Sequence, residues 1–136
     1  MIDWVMLVPS VVFTKIKTDF PEDLKTKFSM TGNNFSTVDE SNTEAVFPFV
    51  FVKLLPASEV GADLVGKDIN AGLFTFQIDV YDNKSKSRAR EVMTAVLKTM
   101  KSMSFNVISM PEFSTTSGRH RSTMRVRRII GSGDIL

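Results

Sequence analysis

Leu73-Phe-Thr-Phe-Gln-Ile-Asp-Val-Tyr-Asp82 is the stretch that decides how this chain folds. Alternation puts Phe74, Phe76, Ile78 and Val80 on one face of an extended strand, and Thr75, Gln77, Asp79 and Tyr81 on the other. From Ser85 the period changes, and Val92, Met93, Val96, Leu97, Met100 and Met103 recur at helical spacing. A half-buried strand feeding almost directly into an amphipathic helix predicts an α+β domain, with helices packed on a sheet.

Upstream, Val46 to Leu54 reads as a strand that is apolar on both faces. Phe47, Phe49 and Phe51 share one side, and Val50, Val52 and Leu54 the other. Such a strand is expected to be covered on both faces, by helices or by a neighbouring subunit. Pro48 cannot donate to a ladder, so it marks the strand's start or an edge. Further upstream, Val11, Val12, Ile16 and Phe20 predict a short helix beginning near Ser10, with Pro9 at its start and Pro21 at its end. Leu24 and Phe28, four apart, predict a second short helix. Residues 29–45 are polar and read as a loop. Pro56 to Gly72, with Gly61 and Gly66, reads as a long connection between antiparallel strands.

Downstream, Phe105 to Met110 opens a third strand, Ser114 to Ser122 is a polar turn, and Thr123 to Ile130 is a fourth strand. The expected fold is α+β: a single sheet of about four strands, mainly antiparallel, with one long and one or two short helices packed against it. A single domain over residues 1–130 and a flexible tail over 131–136 complete the layout. The strand and helix opened at Leu73 and the strand from Phe105 make a right-handed crossover if the two strands run parallel.

A length of 136 residues with 43% hydrophobic content suits one domain with a full core. The absence of cysteine excludes disulfides, thiolate metal sites and a cysteine nucleophile, and fits a reducing compartment. Met1 to Val12 is apolar but is interrupted by Asp3 and Pro9 and has no basic region before it. It is too short to span a bilayer and is not laid out as a signal peptide. Charge is uneven: residues 1–68 carry six Lys/Arg against ten Asp/Glu, and residues 69–136 carry eleven against five. Opposite-signed regions suit head-to-tail association of copies, or a basic face toward an acidic partner; two solvated faces account for them as well.

Little in the chain carries reaction chemistry. His120 is the only histidine and sits in a basic, glycine-containing turn, where an exposed loop role is the simplest reading. Gly131-Ser132-Gly133 is not followed by a helix and is no phosphate loop. Glu22-Asp23 and Asp39-Glu40 lie in polar stretches, as solvated or capping carboxylates. No catalytic, cofactor-binding or metal-ligating residue is assigned, and no cofactor is expected. Met93, Met100 and Met103 share a stripe with Val92, Val96 and Leu97, which favours a core role over an adaptable binding surface.

The candidate interaction surface is basic: Arg119, Arg121, Arg125, Arg127 and Arg128. Met124 and Val126 alternate with Arg125 and Arg127, so one face of the last strand is apolar and the other offers guanidinium groups about 7 Å apart. Such a row suits phosphates or carboxylates, which arginine binds through paired hydrogen bonds. It equally suits a solvated face or an edge protected by charge. No aromatic residues are interleaved with these arginines, so the sequence does not support single-strand nucleic-acid recognition.

The order of these features resembles the tail terminator (tail completion) proteins of long-tailed bacteriophages. Pro9, then Phe47-Pro48-Phe49-Val50, Gln77-Ile78-Asp79-Val80-Tyr81, the helix with Ala89, Val92, Val96 and Met100, Phe105, and the arginine-bearing last strand carry the likeness over residues 5–130. One departure is Ser104-Phe105, where such proteins usually have Gly-Phe at the helix end. The resemblance implies a non-enzymatic virion protein of the tail or neck, assembled in the bacterial cytoplasm. It forms a ring of identical subunits, typically a hexamer, which caps the tail tube, stops its polymerisation and meets the head connector. Its partners would be copies of itself, the tail tube protein and the connector or neck protein, with DNA passing through the ring without sequence-specific contact, and no membrane. Another neck or head–tail joining protein, or an anion- or nucleic-acid-binding module built on the arginine strand, are the alternatives.

Overall fold

The computed structural model describes residues 3–37, 46–61, 70–116 and 118–136. Along the chain lie α1 (Asp3–Asp19), α2 (Glu22–Lys27), a 3-10 turn (Gly32–Asn34), β1 (Phe35–Ser36), β2 (Phe49–Leu54), β3 (Ser58–Val60), β4 (Ala71–Asp82), α3 (Lys86–Ser102), β5 (Asn106–Thr116) and β6 (Arg119–Gly131). One sheet runs in the order β1-β2-β4-β6-β5, with β3 also paired to β4.

The α+β class stands, but the expected sheet of about four strands with one long helix does not. The sheet has six strands and is mixed, because β1 pairs parallel to β2 while the other pairs are antiparallel. The two added strands, β1 and β3, have two and three residues, too few to show alternation. They fall inside the stretches read as the 29–45 loop and the 56–72 connection; residues 38–45 and 62–69 of those stretches lie outside the described residues.

The helices differ as well. Both α1 and α3 have 17 residues, and α1 begins at Asp3 rather than near Ser10, with Pro9 inside it. Pro9 has no N–H to offer the turn before it, which weakens that point. Trp4, Val8, Val12 and Ile16, spaced by four, outweigh the loss by packing one continuous stripe on the core.

The strand read from Leu73 onward behaves as its alternation requires, and β4 starts two residues earlier, at Ala71. Phe74, Phe76, Ile78 and Val80 are all buried, and α3 adds Ala89, Val92, Met93, Val96 and Met100 above them. Met93, Met100 and Met103 are therefore core residues. Phe76 meets Phe105 edge-on with ring centroids 5.7 Å apart, Trp4 meets Phe74 at 6.2 Å, and Phe20 meets Phe35 at 5.4 Å. So α1 reaches from Phe74 of β4, through Trp4, to Phe35 of β1, through Phe20, while α3 packs on β4, β6 and β5. Gly72 lies so close to this core that a Cβ there would stand 2.8 Å from the Phe74 ring.

Both ends of α3 are closed by local chemistry. At its start, Ser85 Oγ accepts from Arg88 N at 3.1 Å, and Asp82 Oδ2 accepts from Ser85 N at 2.9 Å and Lys84 N at 3.2 Å. At its end, Ser104 N donates to Lys101 O at 3.0 Å and Phe105 N to Met100 O at 3.1 Å. This paired closure needs a left-handed residue, and Ser104 supplies it with φ of 65°.

The strands flanking α3 do point the same way, but they are not neighbours. β6 lies between β4 and β5 and is antiparallel to both. The expected polar turn of 114–122 shrinks to the link around Gly118, because β5 runs on to Thr116 and β6 starts at Arg119. Pairing across the hairpin overrides the polar composition there. Past β6, Ser132 N donates to Asn70 O at 3.1 Å, Asp134 Oδ2 accepts from Gly131 N at 2.8 Å, and Leu136 packs against the core.

Candidate interaction face of the sheet

The helices cover one face of the sheet. The opposite face is built from alternate residues of four strands, and the registers align them in rows. Phe49, Tyr81, Arg121 and Ser114 form one row. Phe51, Asp79, Thr123 and Glu112 form the next, then Lys53, Gln77, Arg125 and Ser109. Thr75, Arg127 and Asn106 follow, and Leu73 and Ile129 come last.

A hydrogen-bonded ladder holds the middle of this face. Asp79, only 2% exposed although no helix covers it, is its centre. Its Oδ1 accepts from Thr123 Oγ1 at 2.7 Å and from Arg121 Nη2 at 3.2 Å. Its Oδ2 accepts from Gln77 Nε2 at 3.3 Å. Gln77 in turn accepts through Oε1 from Arg125 Nε at 3.1 Å. Phe51, 7% exposed, seals the same level from β2. Each acceptor on the buried carboxylate is thus matched by a donor, as burial of a charge requires.

Aromatic rings flank the arginines. The Arg121 guanidinium lies 5.7 Å from the Tyr81 ring centroid, and Arg119 lies 5.6 Å from that of Phe47. Phe49 and Tyr81 are 6.5 Å apart, tilted by 41°.

No protein-family model matches the chain, and the search of curated proteins returned no match.

The five arginines singled out from the sequence do not form one group. Arg119, Arg121, Arg125 and Arg127 share the uncovered face, whereas Arg128 pairs with Phe74 and belongs to the helix side. There its Nη1 donates to Met103 O at 2.8 Å and its Nη2 approaches Asp134 Oδ2 at 3.4 Å. Its role is to tie β6 to the end of α3. His120, at the hairpin end, sits on the helix side with Nδ1 3.0 Å from Thr115 Oγ1.

Sequence reading missed the partners of these arginines. Gln77, Asp79 and Tyr81 were visible as the polar face of one strand, but Lys53, Phe49 and Thr123 join them only through register. Among the described residues, no group of three or more His, Cys, Asp or Glu side chains is placed to hold a metal ion. No helix among them is long and apolar enough to cross a membrane.

Among the described residues, exposed apolar side chains also gather on α1 and on β5. On α1, Met6, Leu7 and Val11 are 81%, 60% and 44% exposed. On the edge strand β5, Ile108 and Met110 are 48% and 68% exposed.

Proposed function

We propose that this protein is a structural component of a phage tail, a tail terminator. In this reading it closes into a ring of identical subunits, a hexamer as in the family it resembles, that caps the tail tube and joins it to the head connector. It works in the virion neck after assembly in the host cytoplasm, and it carries out no catalysis.

One observation carries the reading: among the described residues, exposed apolar side chains gather on two separate surfaces. Met6, Leu7 and Val11 lie on α1, which packs on the core through Trp4, Val8 and Val12, and Ile108 and Met110 lie on β5, an edge strand of the sheet. Exposed apolar groups gathered in a patch favour protein contact. Patches on different surfaces favour a heterologous contact, in which one copy's first patch meets the next copy's second, and such contacts close into rings when the rotation allows. The open edge of β5, 11 residues long, adds unpaired backbone groups beside the second patch.

The test is the mass of the purified protein, alone and mixed with tail tubes. A ring-sized species in either condition supports the reading. A protein that stays strictly monomeric in both contradicts it.

A further inference from the structure

Among the described residues, the sheet face opposite the helices presents donors in quantity and almost no acceptor charge. Lys53, Arg119, Arg125 and Arg127 are exposed on it, and Arg121 is half-exposed. Ser109, Ser114, Asn106 and Thr75 add neutral polar groups between them. On β2, β4, β5 and β6 this face holds two carboxylates, Asp79 and Glu112; Asp79 is buried and already bonded, so Glu112 is the one left exposed. Along a strand, successive side chains on one face stand about 7 Å apart, and adjacent strands about 5 Å apart. The cations therefore form a grid with a spacing suited to a chain of anions.

The same face offers flat apolar surface. Phe49 and Tyr81, both half-exposed, lie side by side in the row that continues to Arg121. The sequence keeps these rings far from the arginines, and only the pairing of β2, β4 and β6 brings them together.

We propose that this face binds single-stranded nucleic acid. Arg125, Arg127, Arg119 and Lys53 take backbone phosphates, and Phe49 with Tyr81 receives a base by stacking. Gln77 acts as a positioning residue, since its Oε1 holds Arg125 Nε at 3.1 Å. Arg121 is committed to Asp79 and serves to brace the aromatic ledge. Among the described residues, no helix lies on this face to enter a duplex groove, which favours a single strand over a duplex. An acidic protein would use the cations alone, whereas a base can stack on Phe49 and Tyr81 as well.

The experiment is fluorescence anisotropy with a labelled oligothymidylate across a salt series, using the full chain. Duplex DNA of equal length and polyglutamate serve as competitors. Binding of the single strand is expected to weaken as salt rises, by counterion release. The exposed double variant R125A/R127A is expected to lose about tenfold or more in affinity and to flatten the log–log salt slope by about 1.4, at about 0.7 per lost contact. Tyr81→Leu is expected to lose about tenfold with the slope unchanged, and Tyr81→Phe to retain binding. If Tyr81→Leu fails to fold, the arginine variant alone decides. Three results overturn the proposal: no binding at low salt, R125A/R127A binding as the parent does, or tighter binding of duplex or polyglutamate than of the single strand.

Discussion

Arg128 Nη1 donates to the carbonyl oxygen of Met103 at 2.8 Å, which fastens the end of α3 to the last strand. The helix's final carbonyls lack partners within the helix, and a cation is favourable at that end. Arg128→Ala is therefore expected to destabilise the fold by about 1.5–3 kcal/mol, the range for hydrogen bonds to charged groups. Arg125→Ala, on the exposed face, is expected to stay within about 0.5 kcal/mol of the parent. Denaturant midpoints of the two variants check this contrast; equal losses would contradict it.

Ser104 carries the opposite lesson. Its φ of 65° is a conformation that an L-residue adopts at a cost and glycine adopts freely. Ser104→Gly is expected to stabilise by about 0.5–1 kcal/mol, seen as a raised denaturant midpoint with an unchanged slope. A lower midpoint would mean that the serine side chain stabilises the helix end by more than its strained backbone costs.

Asp79 is buried on the sheet face that no described helix covers, and its removal leaves donors unmatched. Thr123 and Gln77 lose their acceptor, while Arg121, with 43% of its side chain exposed, can turn to water. Asp79→Ala is expected to lose about 1–3 kcal/mol, and Asp79→Asn less. Chemical denaturation of both variants measures the order.

Leu7→Asp and Met110→Lys are expected to leave the monomer's stability within about 0.5 kcal/mol, because both side chains are exposed. Each is expected to reduce assembly on its own, since a heterologous contact needs both patches. Sedimentation of the single variants at matched concentration reads the effect. Assembly unchanged in both would remove these patches from the interface.

The legible parts of the fold were those with a long period. Phe74 to Val80 alternates over a full strand, and Val92 to Met103 keeps one helical stripe, so sequence alone placed β4 and α3. β1 and β3 were not legible, because two and three residues carry no period. The first turns of α1 were hidden by Pro9, which reads as a start although the stripe from Trp4 runs through it. The ends of the β5–β6 hairpin were hidden by polar residues such as Ser114, Thr115 and Arg119, which pair as strand without being buried. The interaction face was half legible. Arg125 and Arg127 showed alternation, but Gln77 and Asp79 meet Arg125 and Thr123 across separations of 48 and 44 residues. Register alone joins such partners, whereas Arg128 lies on the other side by alternation itself, in step with Met124 and Val126.

Electron microscopy of the purified protein decides whether its copies close into a ring. Annular particles built from identical subunits are expected, alone or at the ends of tail tubes. A uniform field of monomers under both conditions, from protein that is folded by circular dichroism, would contradict it.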